Sequence, residues 1–221
     1  MLGGVARMRA VVIFVVAAVM ATLAGPASAL TGEQIVRNAL SLHEGIRDYK
    51  ALLTVTTDIE GLDMPERKVT VYFKRPDRVR VDSDGVVFIP KSALNLAELE
   101  HMISKNADSV LSGQKQVNGR TQYFVKMIPR GDQPHRDRVL LWVWGDNWTV
   151  DRLEMWYDGT QMFTMRWTYQ RVGGKYLMPQ SLVFTTSADR LPGGKRGQVR
   201  LQFSQVQVNL GLKDELFAQQ K

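Results

Sequence analysis

Residues 69–81 read Val69-Thr70-Val71-Tyr72-Phe73-Lys74-Arg75-Pro76-Asp77-Arg78-Val79-Arg80-Val81, and they spell a strand, a corner and the start of a second strand. Val69, Val71 and Phe73 fall on one side of a period-two chain, so they make an apolar face. Arg75 continues that parity just before Pro76 ends the run. A charge on an apolar face is costly unless it is paired. At the strand end it would sit on the rim of the apolar side, where a guanidinium can bond carbonyls of a covering helix. The other possibility is that the strand has already ended and Arg75 is solvated.

The same alternation spreads outward in both directions. Before it, residues 50–57 alternate apolar with polar, and a turn around Gly61 to Pro65 joins them to strand 67–75. After it come 78–82 and 86–89, separated by Ser83-Asp84-Gly85. Segments 121–128, 138–144, 149–157, 161–171, 176–186 and 198–208 continue the pattern. Turn residues stand between them at Gly145-Asp146-Asn147, Asp158-Gly159, Gly173-Gly174 and Pro192-Gly193-Gly194. This spacing predicts an up-and-down antiparallel meander. Val199, Leu201 and Phe203 share one parity while Val206, Val208 and Leu210 have the other, so a bulge is expected near Ser204.

Two segments read as helical. Thr31 and Gln34 form a capping-box pair, followed by Ile35, Ala39, Leu42, Ile46 and Tyr49 on one face. Ser92 to Leu111 carries Leu96, Leu99, Met102 and Ile103 at helical spacing, with Asn95 and Glu98 as a second cap. It reads as one or two short helices.

Residues 1–29 have the order of a secretory signal. Arg7 and Arg9 lead an apolar run from Ala10 to Ala24, Gly25-Pro26 breaks it, and Ala27-Ser28-Ala29 offers small residues for cleavage. The run is short for a membrane span, which needs about 20 residues. Cleavage after Ala29 turns 221 residues into 192, and losing two arginines and no acid takes the net charge from +7 to +5. The expected destination is the periplasm, with residues 30–221 as one domain. The absence of cysteine agrees with this without requiring it, and it excludes disulfide frameworks, thiolate metal sites and a cysteine nucleophile.

Enzyme signals are thin. His43, His101 and His135 are scattered without metal-ligand spacing, and neither an HExxH nor a G-x-S-x-G motif occurs. Gly173-Gly174-Lys175 and Gly193-Gly194-Lys195 sit between strands, so they are hairpin turns and not phosphate loops. No cofactor or metal is expected. Basic residues are spread along an exported chain, which argues against nucleic acid. Arg190, Lys195, Arg196 and Arg200 do gather at one hairpin, either as a solvated tip or as a patch for an anionic partner.

Residues 139–144, Val-Leu-Leu-Trp-Val-Trp, have no polar alternation at all. A sheet with one wet face should alternate cleanly, so both faces here want cover. Helices can cover one face, or a cavity between sheet and helices can hold an apolar ligand. A well-packed sandwich core is the competing explanation. Met102, Met127, Met155, Met162, Met165 and Met178 supply flexible, polarisable side chains suited to irregular apolar contents.

The phrase Val71 to Val81, with Lys74-Arg75-Pro76 at its centre, resembles the signature strand of the periplasmic lipoprotein carrier family, the LolA type. The hairpin from Trp142 to Tyr157 with Asp158-Gly159, the close Tyr176-Leu177-Met178-Pro179, and the order of elements over residues 31–210 are similar too. The resemblance implies an α+β fold, mainly β with a helical lid. It is an incomplete, curved antiparallel barrel covering a hydrophobic cavity for acyl chains. It makes Arg75 the rim arginine that ties lid to barrel and governs its opening, with the carbonyls at the ends of the 92–111 helices as its expected partners. Val79 and Val81 stand where the best-known carriers are aromatic.

Taken with strand parity, the expected lining is Val69, Val71, Phe73, Val79, Val81, Leu99, Met102, Met127, Leu141, Val143, Met165, Trp167, Leu201 and Phe203. The parity of the middle strands is open, since they are apolar on both sides. The implied function is a monomeric, non-enzymatic shuttle for lipoprotein acyl chains or another lipid. Its partners would be an inner-membrane release complex and an outer-membrane acceptor. A sensor of envelope lipid or lipoprotein that regulates a membrane partner is the alternative.

Overall fold

A computed structural model of the chain describes residues 30–61, 64–85, 87, 89, 107–130, 138–191 and 195–218. Side chains of 187–191 and 195 are not among those described. Ten antiparallel strands form one sheet: β1 (Asp48–Ile59), β2 (Arg67–Lys74), β3 (Arg78–Asp82), β4 (Ala107–Val117), β5 (Arg120–Pro129), β6 (Arg138–Trp144), β7 (Val150–Tyr157), β8 (Thr160–Val172), β9 (Tyr176–Leu191) and β10 (Lys195–Val208). Their order is β3-β2-β1-β10-β9-β8-β7-β6-β5-β4. The sheet is open, since β3 and β4 are edges and do not pair with each other.

One α-helix, α1 (Gly32–Ser41), precedes the sheet among the described residues, and a short 3₁₀ turn (Asp214–Phe217) follows it. The amide of Gln34 donates to Thr31 Oγ1 at 3.2 Å and the amide of Thr31 to Gln34 Oε1 at 2.9 Å, the reciprocal cap read from the sequence. Ile35, Val36 and Ala39 are buried, and the helix lies against β4 and β5. It begins at a glycine for a steric reason. A Cβ on Gly32 would collide with the backbone carbonyl of Ser109 and sit 2.7 Å from the amide nitrogen of Leu111.

Several expectations need correcting. The first helix ends at Ser41, and Tyr49 belongs to β1, stacked on Phe73 of β2 with ring centres 5.3 Å apart. Helical periodicity through Tyr49 is overridden because tertiary donors claim the carbonyls of residues 43–46, as described below. Residues 107–111, assigned to the helical insertion, open strand β4, which the sequence reading missed. β4 is an edge strand with little apolar content, so its alternation is faint. Its hairpin partner is announced by Asn118-Gly119, both at positive φ (49° and 76°), a turn pair that favours a tight hairpin. Residues 92–106, with Leu99 and Met102, lie outside the described residues. Residues 87 and 89, assigned to a strand, lie outside the strands. Pro192-Gly193-Gly194 falls outside the described residues.

The bulge near Ser204 is present. Lys50 faces Gln207 and Leu52 faces Ser204, so β10 spends one more residue than β1 there, and Gln205 takes φ 50°.

The two faces of the sheet differ. In β6, Val139, Leu141 and Val143 are buried while Leu140, Trp142 and Trp144 are half-buried on the other side. The apolar outer positions are covered by stacked arginines. Arg152 lies 3.6 Å above the ring of Trp142, Arg120 4.2 Å from Trp144 and Arg138 4.6 Å from Trp156. Unbroken apolar sequence thus reports a core face plus an aromatic outer face shielded by guanidinium groups.

Candidate functional site

Residues directly opposite in an antiparallel pair share a face. Val71 faces Ala51 and Val81, and Val69 faces Leu53, which also faces Phe203. Leu201 faces Val55 and Leu182, and Leu182 faces Trp167. Met165 faces Leu153, Leu153 faces Leu141, Leu141 faces Val125, and Met127 faces Val139. Following these pairs from edge to edge puts Val69, Val71, Phe73, Met127, Leu141, Val143, Met165, Trp167, Leu201 and Phe203 on one face. None is more than 6% exposed. Val79 and Val81 share that face but are half-buried, because β3 is the edge. The sequence reading missed Leu53, Val55, Val125, Leu153, Leu182 and Val199, which complete the face and obey the same parity.

The described helix cannot cover so wide a face alone. Ten strands at about 4.8 Å spacing span roughly 43 Å, while ten helical residues reach about 15 Å. α1 lies over one end of the sheet, against β4 and β5.

Arg75 sits one residue past the end of β2, half-buried. Its Nε donates to the carbonyl of Ile46 at 2.9 Å and its Nη2 to that of His43 at 3.0 Å, while its amide donates to the carbonyl of Arg47 at 2.8 Å. The arginine therefore bonds the carbonyls of a covering helix's exit. Those among the described residues belong to the turn after α1; residues 92–106 of the insertion expected to supply its partners lie outside the described residues. The physical reason is position: β1 pairs alongside β2, so residues 42–47, which lead into β1, arrive beside the end of β2.

The same turn is held from a second side. Asn209 Oδ1 accepts from the amide of Arg47 at 2.8 Å, and its Nδ2 donates to the carbonyl of Gly45 at 2.9 Å and to Tyr176 Oη at 3.0 Å. Asp48, buried, accepts the amides of Leu210, Gly211 and Leu212 at 2.6, 3.0 and 3.3 Å. The C-terminal strap continues along the sheet edge. Lys74 Nζ donates to the carbonyl of Leu212 at 2.6 Å and pairs with Asp214 at 2.5 Å; Arg78 also pairs with Asp214, at 2.8 Å. Arg80 Nη1 donates to the carbonyl of Leu216 at 2.8 Å. The hydrogen bond from Lys74, then that from Arg78, hold the Asp214 carboxyl below its usual range. Apart from Asn209 and Tyr176, 33 residues apart, these partners are separated by 136 to 164 residues, and no local motif announces them.

A cleft of about 630 Å³ lies between this strap and the β2–β3 corner, lined by Asp77, Arg78, Val79, Asp214, Glu215, Phe217 and Ala218. Among the described residues no group of three or more His, Cys, Asp or Glu could hold a metal ion. No described helix is long and apolar enough to cross a membrane. Of the basic hairpin, Arg196 and Arg200 are exposed; the side chains of Arg190 and Lys195 lie outside the described ones.

No family model matches the sequence and no curated protein matches it. Solved structures do. A LolA superfamily protein from Nitrosomonas europaea is similar with a TM-score of 0.56 at 13% identity, over 86% of this chain and 98% of that one. A DUF1329 family protein from Desulfovibrio piger is similar at 0.58 and 13% identity, over 84% of this chain and 96% of that one. A putative outer membrane lipoprotein-sorting protein domain from Vibrio parahaemolyticus is similar at 0.55 and 13% identity, over 84% and 95%. The fold of this chain is LolA-like.

Proposed function

We propose that this protein is a periplasmic carrier that binds acyl chains, of a lipoprotein or another lipid, on the inner face of its curved sheet. In this reading it moves them from the inner to the outer membrane without chemical conversion. The observation that carries the proposal is the continuous apolar face across the sheet, bounded at one end by a charged clamp, on a LolA-like fold. Each buried methylene is worth about 0.8 kcal/mol, so a long acyl chain needs an apolar host to cross water. A carrier must also let go. An apolar interior closed by hydrogen bonds at its rim can open by breaking a few bonds at residues 43–47, leaving the ladder intact.

Arg75 is the gate in this proposal, and Val69, Val71, Phe73, Met165 and Leu201 belong to the surface that meets cargo. Val79, Val81, Leu99 and Met102 would extend that surface toward the mouth. The partners that follow are an inner-membrane complex that releases cargo and an outer-membrane acceptor.

Native mass spectrometry of the protein purified from a periplasm tests the reading. A co-purifying mass of acyl-chain size, lost on organic extraction, is the expected result. A clean apo mass in repeated preparations, together with no uptake of a labelled diacyl lipoprotein from detergent, would overturn it.

A further inference from the structure

The outer face of the sheet is not uniform. On β9, β10 and β1 it carries Ser181, Val183, Thr185, Arg200, Gln202 and Thr54, a mostly polar, wet surface. On β5–β7 it changes character. Phe124, Trp142, Arg152 and Arg166 form one straight row across β5 to β8, and the rings of Phe124 and Trp142 are 5.0 Å apart. Trp144 and Trp156 stand in flanking rows, each beneath an arginine.

Charge on this patch is unbalanced. Arg120 is paired with Asp146 and Arg152 with Glu154. Lys126, Arg138 and Arg166 have no carboxylate partner among the described residues. Arg166 stands directly opposite Arg152, a like-charge pair that isolated sheets avoid. Arg138 Nε is buried and has no hydrogen-bond partner among the described residues. A donor left in this state costs free energy unless an acceptor arrives.

We propose that the outer face of β5–β7, with Arg166 of β8 at its border, is a docking surface for an anionic phospholipid bilayer. Tryptophans suit the boundary between head groups and acyl chains, having an apolar body and one donor. Unpaired guanidinium groups beside them supply planar donors for lipid phosphates. The occupant is set by charge complementarity: Arg120, Lys126, Arg138, Arg152 and Arg166 outnumber Asp146, Asp151 and Glu154 around an aromatic cluster. The surface lies on the side opposite the cargo face, so a carrier docked through it keeps its interior free. The inference is independent of what the interior binds.

The test is co-sedimentation with vesicles of phosphatidylethanolamine, with and without phosphatidylglycerol. The parent protein should sediment with the anionic vesicles only, and added salt should release it. Arg138→Glu and Arg166→Glu should each weaken binding about tenfold or more, since one cation near an anionic surface is already worth roughly fivefold. Arg166 is exposed, so its variant keeps the test intact if Arg138→Glu does not fold. Lys68→Glu, the same charge change at an exposed position on the outer face of β2, four strands from β8, should stay within about twofold of the parent. No sedimentation of the parent, or equal losses in Arg166→Glu and Lys68→Glu, would overturn the proposal. Cargo uptake should be unchanged in Arg166→Glu, which separates this surface from the interior.

Discussion

Arg75 is one residue past a strand and holds two carbonyls of a turn that a helix has just left. Hydrogen bonds from a charged group are worth about 1.5–3 kcal/mol each, enough to bias a two-state closure by one to two orders of magnitude. Arg75→Leu should fold and still load labelled lipoprotein, but hand it to acceptor membranes poorly. Lysine should rescue only partly, since it lacks the planar fork. A two-step transfer assay reads both; loading and unloading at the parent's rate would place the gate elsewhere. Gly32 makes a second prediction at this scale. Alanine there meets strand backbone and not a movable side chain, so Gly32→Ala should cost about 1–3 kcal/mol in urea unfolding. Strand parity made Arg75 legible on the sequence, because Val69, Val71 and Phe73 fix which side is apolar. Its partners were not legible, because backbone carbonyls carry no residue signature.

The C-terminal strap is the element the sequence hid most completely. Residues 209–217 carry no strand or helix pattern in the sequence, yet Asp48 takes three of their amides, and Lys74, Arg78 and Arg80 hold Leu212, Asp214 and Leu216. Asp48→Asn keeps the shape but removes the charge and turns one of the two accepting oxygens into a donor, so it should cost at least about 2 kcal/mol of stability in denaturant. The pH response has a definite sign. Asp214 has a lowered pKa in the fold, so its contribution is present above the ordinary aspartate value of about 3.9. It is lost as pH falls through the lowered folded value. Acidification below about pH 4 should therefore loosen the strap first, seen as movement of the Leu216 amide resonance, and Asp214→Asn should show the loosened spectrum at neutral pH. Edge strand β4 was missed for a related reason. Its side chains are mostly exposed, so hydrophobic alternation had nothing to report, and only Asn118-Gly119 marked the hairpin.

At the scale of the molecule, period-two alternation was enough for nine of the strands and for the bulge near Ser204. It could not tell inside from outside in β5–β7, where tryptophans occupy the outer rows. Register resolves this, and register is a property of pairs. The export reading makes its own prediction: N-terminal sequencing of the periplasmic form should begin at Leu30, and retention of residues 1–29 in a membrane fraction would indicate an anchor.

Strand order carries a consequence for how the protein comes to be folded. Every neighbouring pair in the sheet is also consecutive in the chain, except β1 and β10. Seven strands, β4 to β10, can zip as local hairpins, and β1 to β3 can do likewise. Within the sheet the two pieces meet at the β1–β10 seam, and the packing of α1 on β4 and β5 and of the strap on β2 and β3 adds to that junction. Such a contact is slow to form because a long loop must close. A nascent chain that lacks residues after 195 has no partner for β1, so its N-terminal hairpins stay marginal. The sheet therefore stays unlocked until β10 is available to β1, and under the export proposed above that would keep the polypeptide threadable until both strands have crossed the membrane. Pulse-labelled amide exchange during refolding should accordingly protect β5–β8 early and the facing residues Leu53 and Phe203 late.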